Sequence, residues 1–328
     1  MNEAAAPILE ILERVFMVKI VGHRGLGANS RRPSLPENTV PSLLAATALP
    51  QVCGVEFDVV VTADEQLVVF HDFELKMQSH TECSLAREGD TLSCMHTHTG
   101  CLHAAEMHPI APSAANVSVA HICFAQLPAY IPTLGDCLRA LLTTEKGFIC
   151  EVKYAPRGSR RYCTAVSRHV LAAKVVERLA SALSGPDADT LQPTWMYLSF
   201  FDAELCLETS LCLRAYSEAS NLNRVELVFN CWFGHEDEPD EHDFTDPRNS
   251  DPRVALDFVR EHCRGGMAVE AAWLLANAWF AKAAELEGVK VYTYGTDYAD
   301  HESIAKQELL GVTMIIADNV DALDMSKS

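Results

Sequence analysis

Val55-Glu56-Phe57-Asp58-Val59 is an apolar, β-branched run interrupted by two carboxylates two residues apart. Alternate residues of a strand point to one face, roughly 6.6 Å apart, so Glu56 and Asp58 project side by side. Buried like charges are unfavourable unless a cation or a proton sits between them. The run continues through Val60-Val61-Thr62, turns at Ala63-Asp64-Glu65-Gln66, and returns as Leu67-Val68-Val69-Phe70-His71. With Thr62 paired to Leu67, counting along the hairpin sets His71 opposite Asp58. Two acids and a histidine would then share one small patch.

Upstream, an apolar strand over 16–21 runs into Gly22-His23-Arg24-Gly25-Leu26-Gly27. A loop with Pro33 and Pro36 follows, then a helix over about 37–48, with Asn38 or Ser42 contributing to its start and Pro50 closing it. Downstream, residues 73–131 lack a steady period and hold six histidines, so we read them as an insertion on a loop. A helix resumes near Thr133, with Leu134, Leu138, Leu141 and Leu142 on one side. Phe148-Ile149-Cys150-Glu151-Val152-Lys153 is the next strand, with charges at its exit. Further strands over 195–200, 224–230, 267–270, 290–294 and 313–318 alternate with helices over about 160–183, 202–213, 254–263, 273–287 and 301–310. Leu205, Leu207 and Leu211 read as core positions of the second of these helices. The acidic, proline-rich stretch 234–252 reads as a smaller, solvated loop insertion.

Eight strands thus alternate with helices, ending near His23, Asp58, Lys153, Phe200, Asn230, Glu270, Tyr294 and Asp318. That count implies an α/β fold, a TIM-type (β/α)8 barrel, with the return 67–71 as a β-hairpin extension and an insertion after strand two. We read 1–328 as one barrel domain. Chemistry in such barrels lies at the C-terminal ends of the strands. Glu56, Asp58, Glu151 and Lys153 belong to such ends, and His23-Arg24 follows the first.

The chain has 328 residues, 48% of them hydrophobic, and a net charge of −19. That charge argues against nucleic acid as a partner, because phosphate backbones are held by clustered Lys and Arg, and against anionic membrane surfaces. Met1 to Arg14 carries three Glu and no basic n-region, unlike a signal peptide. The longest apolar runs fall well short of the roughly 20 residues of a membrane span, so no stable membrane insertion is expected. Twelve scattered cysteines without a CxxC fit reduced thiols in the cytoplasm better than a disulfide framework. No oligomeric state is assigned.

Glu56, Asp58 and Glu151 offer hard oxygen ligands, suited to Mg2+ or Ca2+ and not to zinc. Arg24 and Lys153 are cations suited to a phosphate. His23 and His71 titrate near neutrality and can act as paired general acid and base. Together these residues suit phosphoryl transfer from a diester. Two rival readings fit less well. Gly22, Gly25 and Gly27 follow a strand, but the spacing is not G-x-G-x-x-G and His23, Arg24, Pro33 and Pro36 obstruct the helix that a dinucleotide-binding fold needs. Cys94, His96, His98, Cys101 and His103 resemble a zinc cluster, but without C-x2-C or H-x3-H spacing we read them as facing solvent.

Gly22-His23-Arg24-Gly25, Pro36-Glu37-Asn38-Thr39, Val55-Glu56-Phe57-Asp58-Val59, Phe70-His71-Asp72, Glu151-Val152-Lys153 and Ser199-Phe200 occur in the same order as in glycerophosphodiester phosphodiesterases, which the chain resembles from about residue 19 to 320. Gly22 to Asn29 and Phe201 to Cys206 are most similar to the eukaryotic cytosolic branch that includes glycerophosphocholine phosphodiesterases. The resemblance implies a barrel with one divalent cation at Glu56, Asp58 and Glu151, and acid/base roles for His23 and His71. It also implies a small-molecule glycerophosphodiester substrate cleaved to sn-glycerol 3-phosphate and an alcohol, choline being favoured. A related phosphodiesterase of the same fold acting on lysophospholipids is the alternative. Where the family often has a Trp on the seventh strand, this chain has Tyr292 or Tyr294.

Overall fold

The computed structural model describes residues 18–28, 35–78, 101–103, 116–157, 159, 161–184, 193–216, 221–233, 245–295 and 300–323. In chain order the strands are β1 (Lys19–Gly22), β2 (Val52–Val61), β3 (Leu67–Val69), β4 (Glu74–Gln78), β5 (Cys101–His103), β6 (Asn116–Ser118), β7 (Gly147–Val152), β8 (Met196–Phe200), β9 (Val225–Cys231), β10 (Gly266–Glu270), β11 (Val291–Tyr294) and β12 (Met314–Ala317). The helices are α1 (Val40–Thr47), α2 (Leu134–Leu141), α3 (Arg168–Leu183), α4 (Ala203–Tyr216), α5 (Pro247–Ser250), α6 (Pro252–His262), α7 (Ala271–Ala276), α8 (Ala278–Leu286) and α9 (His301–Leu309).

Eight strands, β1, β2 and β7 to β12, pair in parallel, and β1 pairs with both β2 and β12, which closes the barrel. The fold is the expected (β/α)8 barrel, with β3 antiparallel to β2 outside it. Inside, Val21, Ile149, Tyr197, Val228, Ala268, Tyr292, Met314 and Ile316 form the central plug. A larger apolar shell lies between the strands and the helices. The two-residue period of the strands does this sorting. In β2, Phe57 and Val59 face the helices, and Glu56 and Asp58 face the axis. Among the described residues no helix is long and apolar enough to cross a membrane.

Several boundaries differ from the sequence reading. Leu67 pairs with Val61, not Thr62, so Phe70 rather than His71 lies level with Asp58 and donates its N–H to the Asp58 carbonyl at 3.0 Å. Thr62 is instead used inside the turn, where its hydroxyl meets Asp64 Oδ1 at 2.6 Å and takes the Gln66 N–H at 3.0 Å. The first helix is capped by Thr39, which accepts from Ser42 N. Asn38 cannot cap it, being left-handed at φ 56° with its amide committed to Asp58. The third helix begins at Arg168, not near 160, because the segment before it ties down the exit of β7: Thr164 Oγ1 accepts from Ala155 N at 2.9 Å, and Ser167 caps the helix. Between β10 and β11 the expected helix over 273–287 is two helices, broken at Asn277, whose side chain donates to the Trp273 carbonyl. Leu205 is fully buried, Leu207 only partly, and Leu211 is exposed, since six residues along α4 turn it away from the core-facing stripe.

The described residues of 73–131 include three strands. β4, β5 and β6 form a small sheet, and Leu75, Val117, Val119, Ile122, Leu127 and Ile131 pack with Val60, Val68 and Phe70 into a second core on the hairpin. Cys94, His96 and His98 lie outside the described residues. Within 234–252, residues 234–244 also lie outside, and the rest is not all loop: α5 and the Asp251 cap of α6 fall there.

Candidate active site

Above the central plug the inward-facing positions turn polar. Asp58, Glu151 and Ser199 stand in register across β2, β7 and β8, with Glu56 one inward position below Asp58. The turn after β1 reaches over them. Arg24 adopts φ 51°, rare for a residue with a side chain, and so directs its N–H onto Glu56 Oε2 at 3.0 Å. Gly25, at φ 94°, passes so close to α1 that a Cβ would lie 2.5 Å from Ser42 Oγ. Ser42 in turn accepts from Leu26 N at 3.1 Å.

A cavity of about 300 Å3 opens there, and all seven residues singled out in the sequence line it: His23, Arg24, Glu56, Asp58, His71, Glu151 and Lys153. Glu56, Asp58 and Glu151 each offer one oxygen, all within 4.8 Å of one another. Lys153 Nζ lies 3.7 Å from Asp58 Oδ1 and 3.9 Å from Glu151 Oε1. Arg24 neutralises part of the cluster as well, with Nε 3.4 Å from Asp58 Oδ2 and Nη1 3.1 Å from Glu37 Oε1. The charge is still not balanced. Burial, then the charges of Asp58 and Glu151, push the Glu56 carboxyl well above the usual range. Burial foremost brings Glu151 to about 7, against the pull of Lys153. Glu56 Oε1 is buried without a hydrogen-bond partner. Three hard oxygen donors, one of them orphaned, fit a divalent cation such as Mg2+ or Ca2+.

Polar neighbours hold the acids in place. Asn38 donates to Asp58 Oδ2 at 2.9 Å and accepts the Asp58 N–H at 3.1 Å, and Asn230 donates to Glu151 Oε2 at 3.1 Å. Each histidine has its own aspartate. His23 Nδ1 lies 2.9 Å from Asp318 Oδ1, and His71 Nδ1 lies 2.6 Å from Asp72 Oδ1. Carboxylates are acceptors, so each Nδ1 carries the hydrogen.

The opposite side is aromatic. Phe201, Trp232 and Tyr294 line it, from the ends of β8, β9 and β11. Tyr292 does not: its ring is buried in the plug and its hydroxyl donates to the Gly265 carbonyl. Asp318, Asn230, Trp232 and Glu270 were not singled out as site residues. Asp72 and Asn38 stood inside quoted motifs, and Asp318 marked a strand end, but nothing local paired it with His23.

Residues 23–322 match the sequence pattern of the glycerophosphoryl diester phosphodiesterase family. The chain belongs to that family. Two curated members share short segments with this glycerophosphoryl diester phosphodiesterase family protein. A glycerophosphocholine phosphodiesterase of Eremothecium gossypii is 40% identical over 75 residues, which is 22% of this chain and 6% of that protein. Its counterpart in Candida albicans is 44% identical over 64 residues, 19% of this chain and 5% of that protein. The matches thus span a small part of these longer relatives. Among solved structures, a Silicibacter pomeroyi protein described as a glycerophosphoryl diester phosphodiesterase superposes with a TM-score of 0.60 at 19% identity, covering 92% of this chain and 90% of that one. A glycerophosphodiester phosphodiesterase from Thermotoga maritima gives 0.51 at 16% identity, covering 93% and 96%. At these identities the structures establish the shared barrel fold.

Proposed function

We propose that this protein hydrolyses glycerophosphodiesters to sn-glycerol 3-phosphate and the free alcohol, glycerophosphocholine foremost. The supporting observation is that one cavity joins an under-neutralised cluster of three acids to two histidines, each clamped at Nδ1 by an aspartate. Glu56, Asp58 and Glu151 would hold Mg2+ or Ca2+, which when bound supplies charge neutralisation at the phosphate.

The residues themselves do the rest. Lys153 and Arg24, whose Nε is buried without a hydrogen bond, attract and orient the phosphate oxygens. One histidine accepts at Nε2 the proton of the glycerol 2-hydroxyl as its oxygen attacks phosphorus. The other, entering the step as the imidazolium, donates from Nε2 to the departing alkoxide. The attack is intramolecular and gains greatly in effective concentration. It leaves a cyclic phosphate, which water opens with the histidine roles reversed. Release of choline, ethanolamine and inositol from a panel of glycerophosphodiesters, with and without each metal, tests the reading. No release from any of them would overturn it. A substrate lacking the 2-hydroxyl separates the routes: the cyclic route stops, and direct attack by water continues.

The same reading takes residues 1–328 as one such domain, with insertions at about 73–131 and 234–252, working in the cytoplasm. Its support is that the described cysteines are free, including Cys206 and Cys263 with sulfurs 3.5 Å apart. A tagged chain found in a secretory or membrane fraction would contradict the location.

A further inference from the structure

The Lys153 ammonium has acids on one side and a ring on another. It lies 3.7 Å from Asp58 Oδ1 and 3.9 Å from Glu151 Oε1, and 5.9 Å from the ring centroid of Phe73. Phe73 follows His71 by two residues and leads directly into β4. Packing holds its ring: it meets Tyr162 at 5.2 Å with planes 33° apart, and rests against the second core on the hairpin. The Phe73 carbonyl accepts from Val119 N at 2.9 Å. Tyr162 is itself seated by Arg161, whose guanidinium lies 5.0 Å over its ring and donates to Glu74 Oε2 at 3.0 Å. Glu74 also accepts from the Asn116 amide at 3.2 Å, which joins β4 to β6. The small sheet built on the hairpin is thus connected, through one phenyl ring, to a cation of the barrel site.

We propose that Phe73 is a positioning residue, whose ring fixes the Lys153 ammonium in the cavity without neutralising it. The inference rests on the phosphodiesterase reading and deepens it. Asp58 and Glu151 belong to the set that would hold the divalent cation, so their attraction for Lys153 weakens once their charge is shared. A further carboxylate as anchor would cancel the positive charge that the phosphate needs. A phenyl ring attracts a cation through its quadrupole and carries no net charge, so the ammonium keeps its attraction for phosphate oxygens. Lysine gains most from such a partner, because its flexible four-carbon stem loses much conformational entropy when one position is imposed. With 14% of its side chain exposed, Lys153 is desolvated enough for the contact to count.

The test replaces Phe73 with ring-fluorinated phenylalanines, which keep the shape while drawing negative charge away from the ring face. On glycerophosphocholine, kcat/KM should fall stepwise with fluorination, by about three- to tenfold at the pentafluoro ring, and at least as far in Phe73→Leu. Phe73→Tyr, which keeps the ring face, should retain most of the wild-type rate. In a Lys153→Met background, Phe73→Leu should cost nothing further, since no charge is left to hold. The NMR signal of the Lys153 ε-methylene, assigned by its loss in Lys153→Arg, reads the contact without turnover. Ring current should displace that signal in the wild type, and Phe73→Leu should return it to the position of an ordinary lysine. If no diester is cleaved, the functional reading fails, and the signal still decides whether Phe73 holds Lys153. An undisplaced signal would overturn the proposal. So would rates indifferent to fluorination, or equal losses from Phe73→Leu with and without Lys153, which is what a ring serving only the packing predicts.

Discussion

His23 Nδ1 lies 2.9 Å from Asp318 Oδ1, so the acid after the last barrel strand orients the histidine after the first. The two residues are 295 positions apart and meet only where the barrel closes. Burial alone would raise the Asp318 carboxyl, but the hydrogen bond and charge of His23 and the Ala28 N–H outweigh it and hold the carboxyl at about 2. We expect Asp318→Asn to cut kcat by about 100-fold and His23→Ala by at least as much, with KM little changed. The pH profile of kcat/KM should be bell-shaped in the wild type, and one limb should be displaced in Asp318→Asn. An unchanged profile with full rate would show that Asp318 only shapes the loop.

His71 is held in the same way by its neighbour Asp72. His71→Ala should lose at least about 100-fold in kcat, and Asp72→Asn should move the other limb of the profile. Retention of more than about a tenth of the rate in His71→Ala would limit the residue to a positional role.

Removal of the divalent cation should stop turnover reversibly. Glu56→Gln, Asp58→Asn and Glu151→Gln should each abolish activity. Full activity after dialysis against excess EDTA would rule the cation out of the reaction.

The two raised acids also set a pH dependence of stability with a definite sign. Glu151 titrates at about 7 in the folded chain against its ordinary 4.5, and Glu56 is shifted in the same direction. Between those values the folded state holds protons that the unfolded chain has released, so metal-free protein loses stability as pH rises through the window. A shift of that size is worth on the order of 3 kcal/mol. We expect the metal-free wild type to lose denaturation free energy relative to Glu151→Gln between about pH 4.5 and 7. Mg2+ or Ca2+ should restore it at the upper end, because the ion binds the deprotonated acids. A difference that stays flat, or grows the other way, would contradict the shifted acids.

Below the site, the barrel is filled by a stack in which Trp195 lies on Tyr197 at 5.0 Å and Tyr197 on Tyr292 at 5.8 Å. Trp195 fits because Gly54 and Gly147 carry no side chain: a Cβ on Gly147 would fall 2.1 Å from Trp195 Cε2. Gly147→Ala should cost about 1–3 kcal/mol in urea denaturation. The loss should shrink when combined with Trp195→Leu, since the clash then disappears. Additive losses would place the strain elsewhere.

The barrel and the acids were legible in the chain because both depend on short-range periodicity. Strands that alternate with helices need only local hydrophobic pattern to be seen, and carboxylates two apart in Glu56-Phe57-Asp58 must share a face whatever the strand pairs with. Asp58, Glu151 and Ser199 then come into register once neighbouring strands pair. Register itself was not legible. Hairpin counting from Thr62 missed by one residue because Thr62 is used inside the turn, and a one-residue slip costs nothing in local pattern. Nor could Asn38 be recognised as the residue that holds Asp58, since in sequence it looks like a helix cap. Closure decided the rest. The His23–Asp318 pair and the aromatic wall join residues from strands far apart in the chain. Their contacts exist only because eight tilted strands return to the first, and a one-dimensional pattern carries no signal of which ends will then face each other.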